Sequence, residues 1–392
     1  MQVRWLILVF VSWMVGVPAR ADDGLEIWVS SADDALALGT VAARYQASSG
    51  VLVTVTVMDP VPERFIAAAG QGEAPDIILI SHDRLGALAE RGLIIPLNPA
   101  ADWMSGILPV AMQAVQIEGS TWGYPVSVEA QHLIYNRTLI ETPPSAFEDI
   151  PGVPLPIGNR RILWDYTNPY FTMPLLMAGG GFAFEMRDSP DDMVRTAINT
   201  KGAIAGAEML LTLINRQFLP PDMTYQIMND AMNAGRVAMV IDGPWAWPNL
   251  AISGINFGVA PIPGVGGRPS PSYVTIQALA ISSASANRDL ARSFIETALT
   301  SDAGLQTWNA NSRLGALADL SAAVAQTDPH ITAMLEIASV GVPLPDNTEM
   351  VGFWRNMRTA LTDISTLTVT PTDALNAAAT RINGTEMPPD SG

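Results

Sequence analysis

Apolar positions along this chain follow two periods, one suited to strands and one to helices. Leu25 to Ser30 reads as a strand, and Val51 to Val57, rich in β-branched residues, as a second. Between them Leu38, Val41, Ala42 and Tyr45 recur at helical spacing, which predicts a helix capped by Asp33 or Asp34 and ended by Gly50. A short helix over Glu63 to Ala69 follows, then a buried-type strand over Asp76 to Ile80. A helix over His82 to Arg91 is stopped by Gly92. This strand-helix-strand alternation predicts an α/β domain with a largely parallel sheet.

Prolines punctuate the middle of the chain at Pro143-Pro144, Pro151, Pro154 and Pro156. Helices resume near Phe171, over Ala203 to Arg216 and over Thr224 to Asn233. Val237 to Ile241, Asn256 to Pro261 and Tyr273 to Ile281 read as strands. Helical periodicity returns over Asn287 to Leu299, Ile331 to Ile337, Gly352 to Leu367 and Thr372 to Ile382. The tail 383–392 is polar, carries Pro388-Pro389, and is expected to be disordered.

The first residues read as a targeting segment. Arg4 precedes an apolar run, Trp5 to Val17, that is short for a bilayer span of ~20 residues. Pro18 breaks it, and Ala19-Arg20-Ala21 offers small residues to a signal peptidase. Residues 1–21 are expected to be a signal peptide, with a mature chain from Asp22. An uncleaved anchor is the competing reading; Pro18 and the alanines favour cleavage. No second apolar stretch approaches a membrane span.

The chain has no cysteine, which excludes disulfides, thiol catalysis, zinc-thiolate sites and a lipid-modified N-terminal cysteine. Secretion without a lipid anchor suits a Gram-negative periplasm. A formal net charge of -17 argues against nucleic acid and anionic membranes as partners. The histidines His82, His132 and His330 lack metal-ligand spacing, so no metal or other cofactor is expected.

Several clusters carry chemistry. His82-Asp83-Arg84 follows a strand of an α/β sheet, where ligands gather, and pairs acceptors with a fork of donors. Glu129 is an acid inside an apolar run after Tyr124-Pro125, costly to bury unless paired or facing a polar cleft. Asn168-Pro169-Tyr170-Phe171-Thr172 and Gly243-Pro244-Trp245-Ala246-Trp247 put aromatics on tight turns, where loops present side chains. Phe353-Trp354-Arg355 is followed by Arg358 one helical turn on. Flat aromatic faces suit the C–H face of a pyranose ring, at about 0.5–1.5 kcal/mol per contact beyond area burial. Charged hydrogen bonds to hydroxyls add about 1.5–3 kcal/mol each. Taken singly, Asp83-Arg84 also fits a surface ion pair, Glu129 a structural partner, and any one aromatic a core position.

In this order the clusters resemble the periplasmic maltose/maltodextrin-binding proteins, the substrate-binding component of an ATP-binding-cassette (ABC) importer. The resemblance rests on Asp76 to Arg84, Tyr124 to Asn136, Pro169 to Thr172, Gly243 to Trp247 and Phe353 to Arg358, and covers nearly the whole mature chain. It implies a type II periplasmic-binding-protein fold of two α/β lobes around a ligand cleft. One lobe would be 22–127 plus 279–325, the other 131–273 plus 328–382, joined by a hinge. Periplasmic binding proteins as a class close by such hinges, and ligand shifts the population toward the closed form. The implied partners are an oligosaccharide and the importer's permease subunits in the inner membrane, with a monomeric binding protein and no enzymatic activity.

Residue by residue, the resemblance makes Asp83, Arg84 and Glu129 hydroxyl-binding groups. Tyr170 becomes an aromatic contact with Phe171 beside it, Trp245 and Trp354 ring-stacking platforms, and Arg358 a cleft arginine. The chain departs from the family pattern at several places. Ala32-Asp33 stands for an acid-lysine pair, Ile80 for a tryptophan, and Asn168 for a glutamate. Arg355 stands for a tyrosine, Leu344 for a methionine, and Pro62 for another glutamate. Ligand preference is therefore open to a related α-glucoside or another disaccharide. Two competing functions are a periplasmic glycoside hydrolase with Asp83 and Glu129 as its carboxylates, and a binder of a polyamine or ferric iron. Arg84 beside Asp83 favours a permanently ionised acid over a proton donor. A polyamine would want more acids and iron would want paired tyrosines.

Overall fold

The computed structural model describes residues 24–184, 195–312, 315–325, 327–346 and 349–384. The expected signal peptide, and residues 385–392 of the expected tail, lie outside these. Asn383 is engaged, since its side-chain oxygen accepts the Thr196 N–H at 3.1 Å.

The strands in chain order are β1 (Gly24–Val29), β2 (Leu52–Val57), β3 (Ile77–Ser81), β4 (Gln116–Ile117), β5 (Ser120–Thr121), β6 (Tyr124–Ala130) and β7 (His132–Asn136). They continue with β8 (Arg160–Leu163), β9 (Val237–Asp242), β10 (Phe257–Ala260), β11 (Tyr273–Ile281), β12 (Ala316–Leu317) and β13 (Val342–Pro343). The larger sheet runs β12-β6-β11-β3-β1-β2, with β13 pairing β11. The second sheet runs β10-β7-β9-β8, and β4-β5 form a small hairpin.

The first strands behave as βαβ units do. β1 pairs in parallel with both β2 and β3, and the helix Ala32–Ser49 connects the first pair. Its N-cap is Ser31, whose hydroxyl accepts the Asp34 N–H at 3.0 Å, rather than Asp33 or Asp34. The Asp34 carboxylate instead takes the Ser31 hydroxyl at 2.6 Å and the Trp308 indole N–H at 3.0 Å. Gly50 ends the helix at φ 79°, a left-handed conformation that a side chain would strain.

The sheet is mixed rather than largely parallel. β11 runs antiparallel to both β3 and β6, and β12 antiparallel to β6. β6 leads out of the larger sheet toward β7 of the second, and β11 leads back into it after β10. An outgoing and a returning strand laid side by side must be antiparallel. In the second sheet β8-β9 is parallel while β9-β7 and β7-β10 are antiparallel.

Two apolar clusters pack the sheets, one on a face of the larger sheet and one shared by both. Leu38, Val41, Phe294 and Trp308 pack with Ile27 and Ile77 in one cluster. A larger cluster joins Trp164, Leu175, Leu210 and Val240 in the second half of the chain and extends to Ile78 and Ile276 of the first sheet. Burial of such side chains, at about 25 cal/mol per Å² of apolar surface, is the main driving force for these elements.

Candidate functional site

Asp83 lies just past the carboxyl end of β3. The expected helix over 82–91 begins as a 3-10 turn, His82–Arg84, before the α-helix Leu85–Glu90. His82 fixes this turn. Its Nδ1 accepts the Ile276 N–H at 3.1 Å, which leaves Nε2 to donate to the Leu344 carbonyl at 3.0 Å. Burial lowers its pKa and keeps the ring neutral. One imidazole thus fastens the end of β3 to β11 and to the stretch carrying Leu344. Beside it, Arg84 Nε lies 3.3 Å from Asp83 Oδ2; the arginine side chain is one third exposed and the acid nearly covered.

Glu129 lies on β6, opposite Thr275 of β11. Its Oε2 accepts from Gln277 Nε2 at 3.4 Å. Burial pushes its pKa up to about 7, with the Asp34 charge adding to the shift and bonds from Gln277 and Thr275 opposing it.

Tyr170 is in the first turn of the helix Pro169–Ala178, whose N-cap is Asn168. Its ring meets Trp245 at 6.1 Å and stacks over Tyr273 at 6.3 Å. Burial, and next the Glu129 charge, raise its hydroxyl pKa well above the usual value. Trp245 sits on the short turn Pro244–Ala246 after β9. Trp354 is in the helix Met350–Ser365 and stands edge-on to Tyr273 at 6.2 Å.

These groups converge on one cleft of about 510 Å³. Asp83, Arg84, Glu129, Leu344 and Ser81 line it together with Thr275 and Gln277 of β11. Asn168, Pro169, Tyr170, Trp245, Trp354 and Arg358 complete the wall. The larger sheet thus supplies most of the charge and the second half of the chain most of the aromatic surface. A larger hollow of about 800 Å³ lies beside Met177, Val259, Pro261, Ile262 and Ile337. It is mainly aliphatic and lacks converging aromatic faces, so the smaller cleft is the better candidate.

Three expected site residues lie off the cleft wall. Phe171 is 5% exposed and stacks on Tyr225 at 5.8 Å, supporting Trp245 from behind. Asp33 and Arg355 are exposed and do not line the cleft. Trp247, grouped with Trp245 in the sequence, is a core residue at 2% exposure whose indole N–H donates to His132 Nε2 at 3.1 Å. Conversely, Ser81, Thr275 and Gln277 line the cleft without having been singled out, and Pro169, named only as part of its cluster, lines it too. Thr275 and Gln277 carry a readable signal, two polar residues at strand spacing in the otherwise apolar run of β11.

Among the described residues no group of His, Asp and Glu has the geometry of a metal site, and no helix is long and apolar enough to cross a membrane. Asp83, Arg84 and Glu129 offer acceptors and donors, and Trp245, Trp354 and Tyr170 offer flat faces. Such a set has the chemistry to hold a polyhydroxylated, partly apolar molecule.

Comparison with known proteins gives the family. The chain is 25% identical over 312 residues to a maltotriose-binding protein of Pyrococcus abyssi, covering 76% of this chain and 66% of that protein. It is 23% identical over 330 residues to a galactooligosaccharide-binding protein of Bacillus subtilis, covering 80% and 77%. It is 23% identical over 368 residues to a maltooligosaccharide ABC transporter solute-binding lipoprotein of Streptococcus pneumoniae, covering 88% and 85%. Residues 32–305 match the family model described as bacterial extracellular solute-binding protein. The chain therefore belongs to the bacterial extracellular solute-binding proteins, with their two-lobed type II fold.

Proposed function

We propose that this protein is the substrate-binding component of a carbohydrate ABC importer. It takes a maltodextrin or related α-glucoside into its cleft and delivers it to the permease subunits in the inner membrane. The observation that carries this reading is the meeting of Trp245, Trp354 and Tyr170 with Asp83, Arg84 and Glu129 in a single cleft. The protein acts as a monomer in the periplasm, exported by a signal peptide cleaved after Ala21.

The proposed lobes are 22–127 plus 279–325 and 131–273 plus 328–382. On these bounds the chain crosses between them at 128–130, 274–278 and 326–327, and at the first two Val128 to Ala130 pair with Val274 to Ile276. A bend there moves the aromatic wall toward Asp83 and Arg84, and ligand held by both walls favours the closed form.

The relatives are named for maltotriose, maltooligosaccharides and galactooligosaccharides. The α-glucoside is preferred because Trp245, Trp354, Asp83 and Glu129 keep ring-stacking and acid positions of the maltodextrin pattern, although Ile80, Pro62 and Asn168 replace others. Glu129 near neutrality has the proton affinity of a hydrolytic acid. In a family of solute-binding proteins that carboxyl is read as a hydroxyl-holding group instead. A thermal-shift panel of maltose, maltotriose, galactooligosaccharides, trehalose and sucrose tests the assignment. The expected result is a melting temperature raised most by a maltodextrin, because a ligand bound only by the folded state stabilises it by mass action. A larger shift with galactooligosaccharide would move the assignment to that class.

A further inference from the structure

Asp242 ends β9 and is fully buried at the back of the cleft wall. Its Oδ1 accepts the Gly243 N–H at 2.9 Å and the Tyr225 hydroxyl at 3.4 Å. Its Oδ2 is buried too, and has no hydrogen-bond partner among the described residues. Burial pushes this carboxyl up to about 7, while the Gly243 N–H, the Trp245 indole N–H and the Tyr225 hydroxyl each favour its charged form. The Tyr225 hydroxyl is thereby tied to the acid at the end of β9. A buried, under-bonded acid costs stability that an apolar residue of similar size would not.

The Trp245 ring is closely held. A Cβ added at Gly243 would lie 2.2 Å from the indole, so the ring rests on bare backbone. Phe171 meets the indole at 6.5 Å and is itself stacked on Tyr225, at 9° between ring planes. The ring thus has a glycine floor and an aromatic wall that leads back to Asp242 through Tyr225.

We propose that Asp242 is a positioning residue for ligand binding: it fixes the Tyr225 hydroxyl, and the Tyr225–Phe171 stack, together with the space left by Gly243, sets the plane of the Trp245 ring. The platform then meets a sugar ring already oriented, and no ordering of the indole is subtracted from affinity. The sugar part of this inference rests on the carbohydrate reading above; the positioning part does not.

The test uses the full-length mature protein labelled with 5-fluorotryptophan, the Trp245 resonance being assigned by its loss in Trp245→Phe. Asp242→Leu removes the hold, Gly243→Ala pushes the ring, and Asp242→Asn keeps an acceptor for Gly243 and Tyr225. The expected result without sugar is a shifted or broadened Trp245 line in the first two and a near-native line in the third. Circular dichroism checks that each variant is folded. With maltotriose, Asp242→Leu weakens binding about three- to tenfold, the scale of one aromatic contact. In a Trp245→Ala background the same change has no further effect, since the two residues act as a unit. An unmoved Trp245 line in both Asp242→Leu and Gly243→Ala overturns the inference, as does an equal affinity loss with and without Trp245. If the native protein binds no sugar, the carbohydrate reading falls while the fluorine line still decides the positioning.

Discussion

Glu129 and Thr275 stand opposite each other in the antiparallel pair β6-β11, and both face the cleft. An acid is thereby set where β6 and β11 pair, at the proposed crossing between lobes. Its carboxyl, held up at about 7, contrasts with an unfolded value of about 4.3. Between these values the folded state binds more protons than the unfolded chain, so this group's contribution to stability falls as pH rises.

Glu129→Gln removes that dependence. In melts without ligand, the melting temperature of the variant relative to the native protein is expected to rise between pH 5 and pH 7.5. Asp242, His82 and His132 titrate equally in both proteins and cancel in the difference. A difference that stays constant across this range contradicts the environment assigned to Glu129.

Trp245 and Trp354 stand at the cleft wall, whereas Phe171 is packed behind it. Trp245→Ala and Trp354→Ala are each expected to weaken maltotriose binding several-fold with the fold retained, as judged by calorimetry and circular dichroism. Phe171→Ala is expected to cost about 3–5 kcal/mol of stability for an emptied aromatic site and, by loosening Trp245, a smaller loss of affinity than Trp245→Ala. Denaturant unfolding of the three variants separates the two kinds of effect.

The division between legible and illegible follows the range of the interactions. The βαβ start, Asp83-Arg84 after β3, and the aromatic turn at Trp245 depend on neighbours in sequence and could be read from it. The opposite fates of Trp245 and Trp247 could not, because His132 of β7 decides that Trp247 is buried. Phe171 was likewise claimed by Tyr225, distant in sequence. The antiparallel placing of β11 beside β3 depends on where the chain re-enters the larger sheet, which no local pattern records.

Thr275 and Gln277 reach the cleft through the two-residue period of β11, while Asp33 and Arg355 are exposed away from it. Thr275→Val and Gln277→Leu are therefore expected to reduce sugar affinity measurably. Asp33→Ala and Arg355→Ala are expected to leave it unchanged within calorimetric error. The reverse ranking contradicts the placement of the cleft floor on β11.

Arg84 is held beside Asp83, and the acid is the more covered of the pair. Asp83→Asn is expected to cost more binding free energy than Arg84→Lys. About 1.5–3 kcal/mol is the scale of one charged hydrogen bond to a hydroxyl. Calorimetric titration of both variants with maltotriose reads the order directly.

The most direct measurement is a crystal structure of the mature protein grown with maltotriose. A glucosyl ring is expected against the indole of Trp245 or Trp354, with its hydroxyls in hydrogen-bonding reach of Asp83, Arg84 or Glu129. Sugar bound away from these side chains, or no sugar bound at a concentration that saturates a binding protein, would contradict the account.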